Sequence, residues 1–284
     1  MPALRYLLSC IGKHLAGGHA RCPSCGVGKG VILSRKYLVT ALVRCQGCAL
    51  LYRVPTTSEA ENRRFYQVEY QQGFTTDLPD NEALVRLTDT AFKDSGKDFS
   101  PFIAVLRAAG ATGGRLFDYG CSWGYGSWQF ARAGYAVSAL EISRPRRDFA
   151  RDRLNVQCCD RIPIESSQDV FFSSHVLEHV PSVAATVEAA LGCLKPGGLF
   201  VAETPNGSEA LRVRDPGQWD RYWGAVHPNF LDDVYWRRRF AGCPLYLGSP
   251  PYDLDSIARW RREGGCTIGD LSGLSLLAIS RKPS

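Results

Sequence analysis

Two Cys-x-x-Cys pairs, Cys22-Pro23-Ser24-Cys25 and Cys45-Gln46-Gly47-Cys48, stand 19 residues apart near the start of this chain. Thiolates are soft ligands, and four of them at this spacing fit a tetrahedral zinc ribbon. Such a set fills the coordination sphere, so the metal would stabilise the fold and carry out no chemistry. The other reading is free thiols paired by coincidence. A second group is the turn Asp118-Tyr119-Gly120-Cys121-Ser122-Trp123-Gly124 with Glu141 beyond it. Gly120 and Gly124 let the backbone approach a ligand with no Cβ in the way. A helix opening at Tyr125 would aim amide N–H groups at the carboxylate of a bound amino acid or at a nucleoside. Glu141, acceptor-only when ionised, suits the paired hydroxyls of a ribose. The plainer alternative is a bare βα turn beside an exposed glutamate. A third group comprises His175, Glu178, His179 and His227. Histidine has the right pKa to take a proton near neutrality. His227, in the ring-rich segment Trp219 to His227, is the better base, with His179 the other candidate. Glu178 and His179 could instead cap or satisfy buried backbone.

These groups need a frame to hold them. From Phe102 the chain alternates amphipathic helices with apolar β runs, as a parallel α/β sheet requires. Arg115 to Asp118 reads as a strand running into the glycine turn, and Ala136 to Leu140 as the next. Asn155 to Cys158, Val170 to Ser173, Gly198 to Glu203 and Leu274 to Ser280 follow. Val183, Val187, Leu191 and Leu194 recur at helical spacing, and Lys195-Pro196-Gly197-Gly198 stops that helix. Before this frame, Gly30 to Leu33 and Tyr37 to Thr40 are β-like runs between the cysteine pairs. The expected division is an N-terminal segment with a ribbon (1–53), a helical linker or lid (54–100, with Phe65, Tyr66 and Tyr70) and a catalytic unit (101–284).

A dinucleotide fingerprint is G-x-G-x-x-G, whereas this turn is D-x-G-C-S-x-G. With this turn, Ala139 to Ser143, Ser174 to Val180, Leu194 to Gly198, Glu203 to Asn206 and His227 to Phe230, residues 115–280 resemble a class I S-adenosylmethionine-dependent methyltransferase. The resemblance extends to the broad group that includes sugar and small-molecule enzymes, some of which carry a similar ribbon. It implies a doubly wound, mostly parallel, seven-stranded Rossmann-like sheet. It implies that Asp118, Gly120, Cys121 and Gly124 surround the methionyl part of S-adenosylmethionine, and that Glu141 holds the ribose. Asp160 would meet the adenine amino group, and Ser173 and Ser174 would line the floor below the sulfonium. Ser122 departs from the usual glycine and adjusts the turn.

Composition bounds the rest. The 284 residues are 45% hydrophobic and 22% charged, ordinary for a globular protein, and no apolar run approaches membrane-spanning length. Met1 to Leu15 has a short apolar patch without the core of a signal peptide, so it is expected to lie as an amphipathic helix on the protein or a partner. Eleven cysteines without an export signal argue for reduced thiols in the cytoplasm. A net charge of +6 permits a phosphate-bearing substrate and does not demand nucleic acid. Trp236 to Arg239 and Arg259 to Arg262 read as solvated helix faces, with phosphate binding the alternative. The function expected is methyl transfer to a small-molecule or carbohydrate acceptor, at oxygen; the alternative is an RNA methyltransferase that docks through the ribbon.

Overall fold

The computed structural model describes residues 2–15, 21–57, 61 and 77–283. Phe65, Tyr66 and Tyr70, placed above in a linker or lid, lie outside the described residues. Helix α1 (Pro2–Leu15) precedes strands β1 (Gly30–Lys36), β2 (Thr40–Cys45) and β3 (Leu51–Val54). Helices α2 (Asn81–Asp89) and α3 (Ser100–Ala108) lead into β4 (Gly114–Tyr119), α4 (Tyr125–Arg132), β5 (Tyr135–Leu140), α5 (Arg144–Leu154) and β6 (Cys158–Cys159). Next come β7 (Gln168–Ser174), α6 (Val183–Cys193), β8 (Leu194–Pro205), α7 (Glu209–Arg214), α8 (Pro216–Tyr222) and β9 (Asn229–Phe230). The chain closes with α9 (Asp233–Arg239), β10 (Leu245–Gly248), α10 (Leu254–Glu263), β11 (Cys266–Ile268) and β12 (Ser275–Arg281).

The large sheet runs β11-β10-β12-β8-β7-β4-β5-β6. Only β12 pairs antiparallel with its neighbours, and β11 adds a short eighth strand at the edge of the seven expected. Because side chains alternate across a strand, each central strand feeds two cores. Phe117, Phe171, Phe200 and Ala202 pack on one face with Val183, Val187 and Trp236. Leu116, Val170, Phe172, Leu199 and Val201 pack on the other with Phe102, Ile257 and Trp260. Burial on both faces explains why these strands read as continuous apolar runs. Side-chain caps fix the helix starts: Ser182 accepts from Ala185 N, Asp232 from Tyr235 N and Asp253 from Ser256 N. The strand order reverses between β4 and β7, which creates a crevice at their carboxyl ends.

Three strand assignments move, and one of them is β8, which begins at Leu194, a residue that helical spacing had placed in α6. Tyr37 and Leu38 have φ of 54° and 59° and form the exposed tip of a hairpin, so β2 begins at Thr40. Asn155 ends α5 in the left-handed conformation that asparagine tolerates, and β6 begins only at Cys158. The ribbon is not a free appendage. β3 pairs with β9, matching Leu51 with Phe230 and Tyr52 with Asn229. Cys22, Val43 and Tyr52 share a core with Val183, Leu231 and Trp236, and Arg44 pairs with the buried Asp232 at 2.6 Å.

Candidate active site

The glycine turn is tied down at both ends. Gly120 N and Cys121 N both donate to Leu140 O, so the turn after β4 rests on the end of β5. Gly120 has φ of +85°, and a Cβ there would lie 2.3 Å from Val176 Cγ2 in the loop after β7. Gly124 starts α4 at φ of +89° with no side-chain cap, which leaves first-turn amides open to a ligand carboxylate. Glu141, at the end of β5, accepts from Ser122 N at 2.9 Å and Ser143 N at 2.7 Å. Burial raises its carboxyl, and these amides and Arg146 oppose the shift. Asp118 accepts from Ser127 Oγ at 2.6 Å, yet burial pushes it up to about 7, with Glu141 adding repulsion. Two desolvated carboxylates facing one turn suit a cationic ligand. S-adenosylmethionine carries both an ammonium and a sulfonium, and the buried Ser122 Oγ and Ser173 Oγ are hydroxyls still without a partner. The residues fit this cofactor.

Cys121 is buried beside these groups, and Ser174 Oγ donates to Glu203 Oε2 at 3.0 Å. Asp160 stands apart: its side chain is 96% exposed and paired with Arg147 at 3.3 Å. The four ribbon thiols converge, with Cys22 Sγ 3.6 Å from Cys48 Sγ and Cys25 Sγ 3.4 Å from Cys45 Sγ. Tetrahedral zinc with Zn–S near 2.3 Å sets thiolates about 3.8 Å apart, so this donor set fits a closed structural zinc.

His179 and His227, 48 positions apart, meet with ring centroids 4.7 Å apart. His179 Nδ1 donates to Val226 O at 2.9 Å, and His227 Nδ1 donates to Tyr222 O. Burial lowers the His179 pKa, Glu178 opposes this and His227 adds to it. His175 is half exposed, and the desolvation it does suffer is overcome by the Glu178 and Glu203 carboxylates, which raise it to about 9. Its backbone has φ of 54°, a strained conformation of the kind that clusters at functional sites. Glu178 is fully buried; burial opposes its charge, but His179, His175 and His227 bring it down to about 2.

Residue-type reasoning missed Glu203 and Tyr252. Tyr252 OH donates to Glu203 Oε1, which fixes the carboxylate that faces His175. Glu203 carries the same signal as Glu141, an acidic residue at the end of a strand. Tyr252 carries none, since it arrives from the far side of the sheet edge.

A family model described as "Methyltransferase domain" matches residues 93–267. The ubiquinone biosynthesis O-methyltransferase of Psychrobacter cryohalolentis is 31% identical over 157 residues, 46% of this chain and 61% of that protein. Its counterpart in Psychrobacter arcticus is 33% identical over 150 residues, 44% of this chain and 58% of that protein. The match thus spans about three-fifths of the length of these relatives. A solved S-adenosylmethionine-dependent methyltransferase from Mesorhizobium loti is 20% identical, covering 66% of this chain and all of that one, with a TM-score of 0.46. With the family model matching more than half of the chain, this protein belongs to the S-adenosylmethionine-dependent methyltransferase family.

Proposed function

We propose that this chain methylates an oxygen of a small-molecule or carbohydrate acceptor. The observation that carries the reading is the pairing of His179 and His227 over the buried Glu178, beside the glycine turn. When bound, S-adenosylmethionine supplies a methyl group on a positively charged sulfur, so an acceptor oxygen that has lost its proton displaces it in line. Alignment comes first in such a displacement, and a base matters only when the acceptor must lose a proton. With Nδ1–H held by a backbone carbonyl, a neutral His227 keeps its lone pair on Nε2, the form a base needs. His179 serves the same end beside it.

Asp118, Gly120, Cys121 and Gly124 would surround the methionyl part, Glu141 would hold the ribose, and Ser173 and Ser174 would line the floor below the sulfonium. Asp160 would have to leave Arg147 to reach an adenine amino group. The names of the O-methyltransferase relatives support oxygen as the acceptor atom. Trp219 and Trp223 are buried in the core beneath the ribbon, while Tyr222 is half-buried, so the insert offers little aromatic surface for sugar stacking. Eleven cysteines with no disulfide among them suit a reducing compartment, and we place the protein's work in the cytoplasm. Among the described residues no helix is long and apolar enough to cross a membrane.

The test is a radiolabelled methyl-transfer assay against pooled phenols, nucleotide sugars and RNA. Label should enter a low-molecular-weight hydroxylated acceptor; label in RNA alone would overturn the reading. In parallel, calorimetry on Glu141→Ala should show S-adenosylmethionine binding about 10- to 100-fold weaker, the loss expected for charged hydrogen bonds. Unchanged affinity would remove Glu141 from the site.

A further inference from the structure

Cofactor binding leaves one buried charge unexplained. Glu178 is 1% exposed, and neither of its carboxylate oxygens has a hydrogen-bond partner. A buried carboxylate is costly unless it is paired or coordinates a metal. His179 Nε2 lies 3.6 Å from Glu178 Oε1. One ligand atom each from Glu178, His179 and His227 fall within 4.8 Å of one another. Donors about 2.1 Å from a common ion sit roughly 3 to 3.5 Å apart, so an approach of about an ångström, within reach of side-chain rotation, would bring these onto it.

The surroundings prepare the rings for that task. Val226 O and Tyr222 O can only accept, so both rings carry a proton on Nδ1 and leave the lone pair on Nε2, which in His179 faces Glu178 Oε1. Metal-binding histidines are held in this way, with an outer carbonyl fixing the tautomer. His175 offers the competing explanation, since its positive form would compensate Glu178. Its Nδ1 is 3.5 Å from Glu178 Oε1, beyond a good hydrogen bond, and its Nε2 lies 3.4 Å from Glu203. It therefore shares its charge and leaves the Glu178 oxygens without a donor.

We infer that Glu178, His179 and His227 bind one first-row divalent metal ion, separate from the zinc of the ribbon. Two imidazoles and a carboxylate suit zinc, manganese, iron or cobalt, and three protein ligands leave positions open. The ion's role in catalysis rests on the proposed O-methylation and replaces the histidine base there, since a ligating Nε2 has no lone pair left for a proton. An acceptor hydroxyl bound at an open position would lose its proton to solvent more readily. Ion binding itself does not depend on that reading.

The experiment is a titration of the full chain, ribbon zinc in place, with MnCl2 followed by electron paramagnetic resonance. A companion titration uses CoCl2 followed by visible absorption. Wild type should bind one equivalent, and bound cobalt should lack the thiolate charge-transfer absorption that a cysteine site adds. Glu178→Gln and His227→Ala should each weaken binding about tenfold or more, while S-adenosylhomocysteine binding confirms their fold. Wild type that takes up neither ion overturns the inference whatever the variants do, as does uptake that both variants leave unchanged. Ion binding without transfer to any acceptor would retire the proposed function and keep the site. Full transfer by a chain that binds neither ion would do the reverse.

Discussion

The four-cysteine ribbon and the Glu178 cluster are both converging donor sets, yet the chain builds them in opposite ways. In the ribbon each pair sits in its own tight turn, with Gly26 N donating to Cys22 O and Ala49 N to Cys45 O, and one hairpin brings the two turns together. In the cluster, Glu178 and His179 follow β7 while His227 enters from the segment before β9. Asn229 N donates to Glu178 O, and Asn229 Nδ2 to Val180 O. The ribbon completes this arrangement. Arg53, buried in β3, donates to Gly224 O and Ala225 O, and its own amide donates to Pro228 O. A closed, locally encoded metal site therefore holds in place a loop that an open, long-range site needs. The first stabilises and the second is free to react.

Four measurements can break or sharpen that contrast. Removing a ribbon ligand should have the largest effect. Cys45→Ser should cost on the order of 10 kcal/mol, as structural zinc sites do, and abolish the cooperative thermal transition along with the bound zinc. A variant that melts like wild type would mean the ribbon is ornament. His227→Ala should keep the fold and S-adenosylhomocysteine binding but slow transfer about 10²- to 10⁴-fold, the scale of acid–base assistance. Equal losses in binding and rate would instead mark a structural histidine. Arg53→Met tests the link between the two regions. It removes two part-buried hydrogen bonds, at about 0.5–1.5 kcal/mol each, and should lower the turnover number while cofactor affinity stays within twofold. An unaffected turnover number would uncouple ribbon from site.

The smallest effect is a pH dependence at Asp118. Its folded pKa of about 7 lies above the unfolded value near 4, so the native state holds the extra proton between them. This contribution is fully present below about pH 4 and is lost as pH rises through 7. The melting temperature should therefore fall between pH 5 and 8, by less in Asp118→Asn than in wild type. S-adenosylmethionine, by placing positive charge near this carboxylate, should bind more tightly as pH rises over the same range. A flat profile, or one that Asp118→Asn leaves untouched, would reassign the titrating group.

Much of the frame was legible because it is written in local patterns. Apolar runs such as Val170 to Phe172 announce strands buried on both faces, and the helical spacing of Val183, Val187 and Leu191 announces α6. The glycine turn and Glu141 can be read from type and spacing, because a sharp turn after a strand needs φ values that glycine supplies. Runs of ambiguous type misled: Tyr37 to Val39 has strand composition yet serves as a hairpin tip. Pairing by tertiary contact was not legible either. Nothing near Tyr252 points to Glu203, and nothing in residues 51–54 points to β9.

The sequence by itself therefore determined the donor chemistry: four thiols at ribbon spacing, acidic residues at strand ends and a glycine turn for a nucleoside-bearing methyl donor. Only the tertiary structure decided which histidines meet, that Glu178 is buried among them, that Asp160 faces solvent and that the ribbon is sewn to the catalytic sheet. The physical reason is range. Turn geometry and ligand spacing are set over a few residues, whereas burial and encounter depend on which faces pack together across the whole chain.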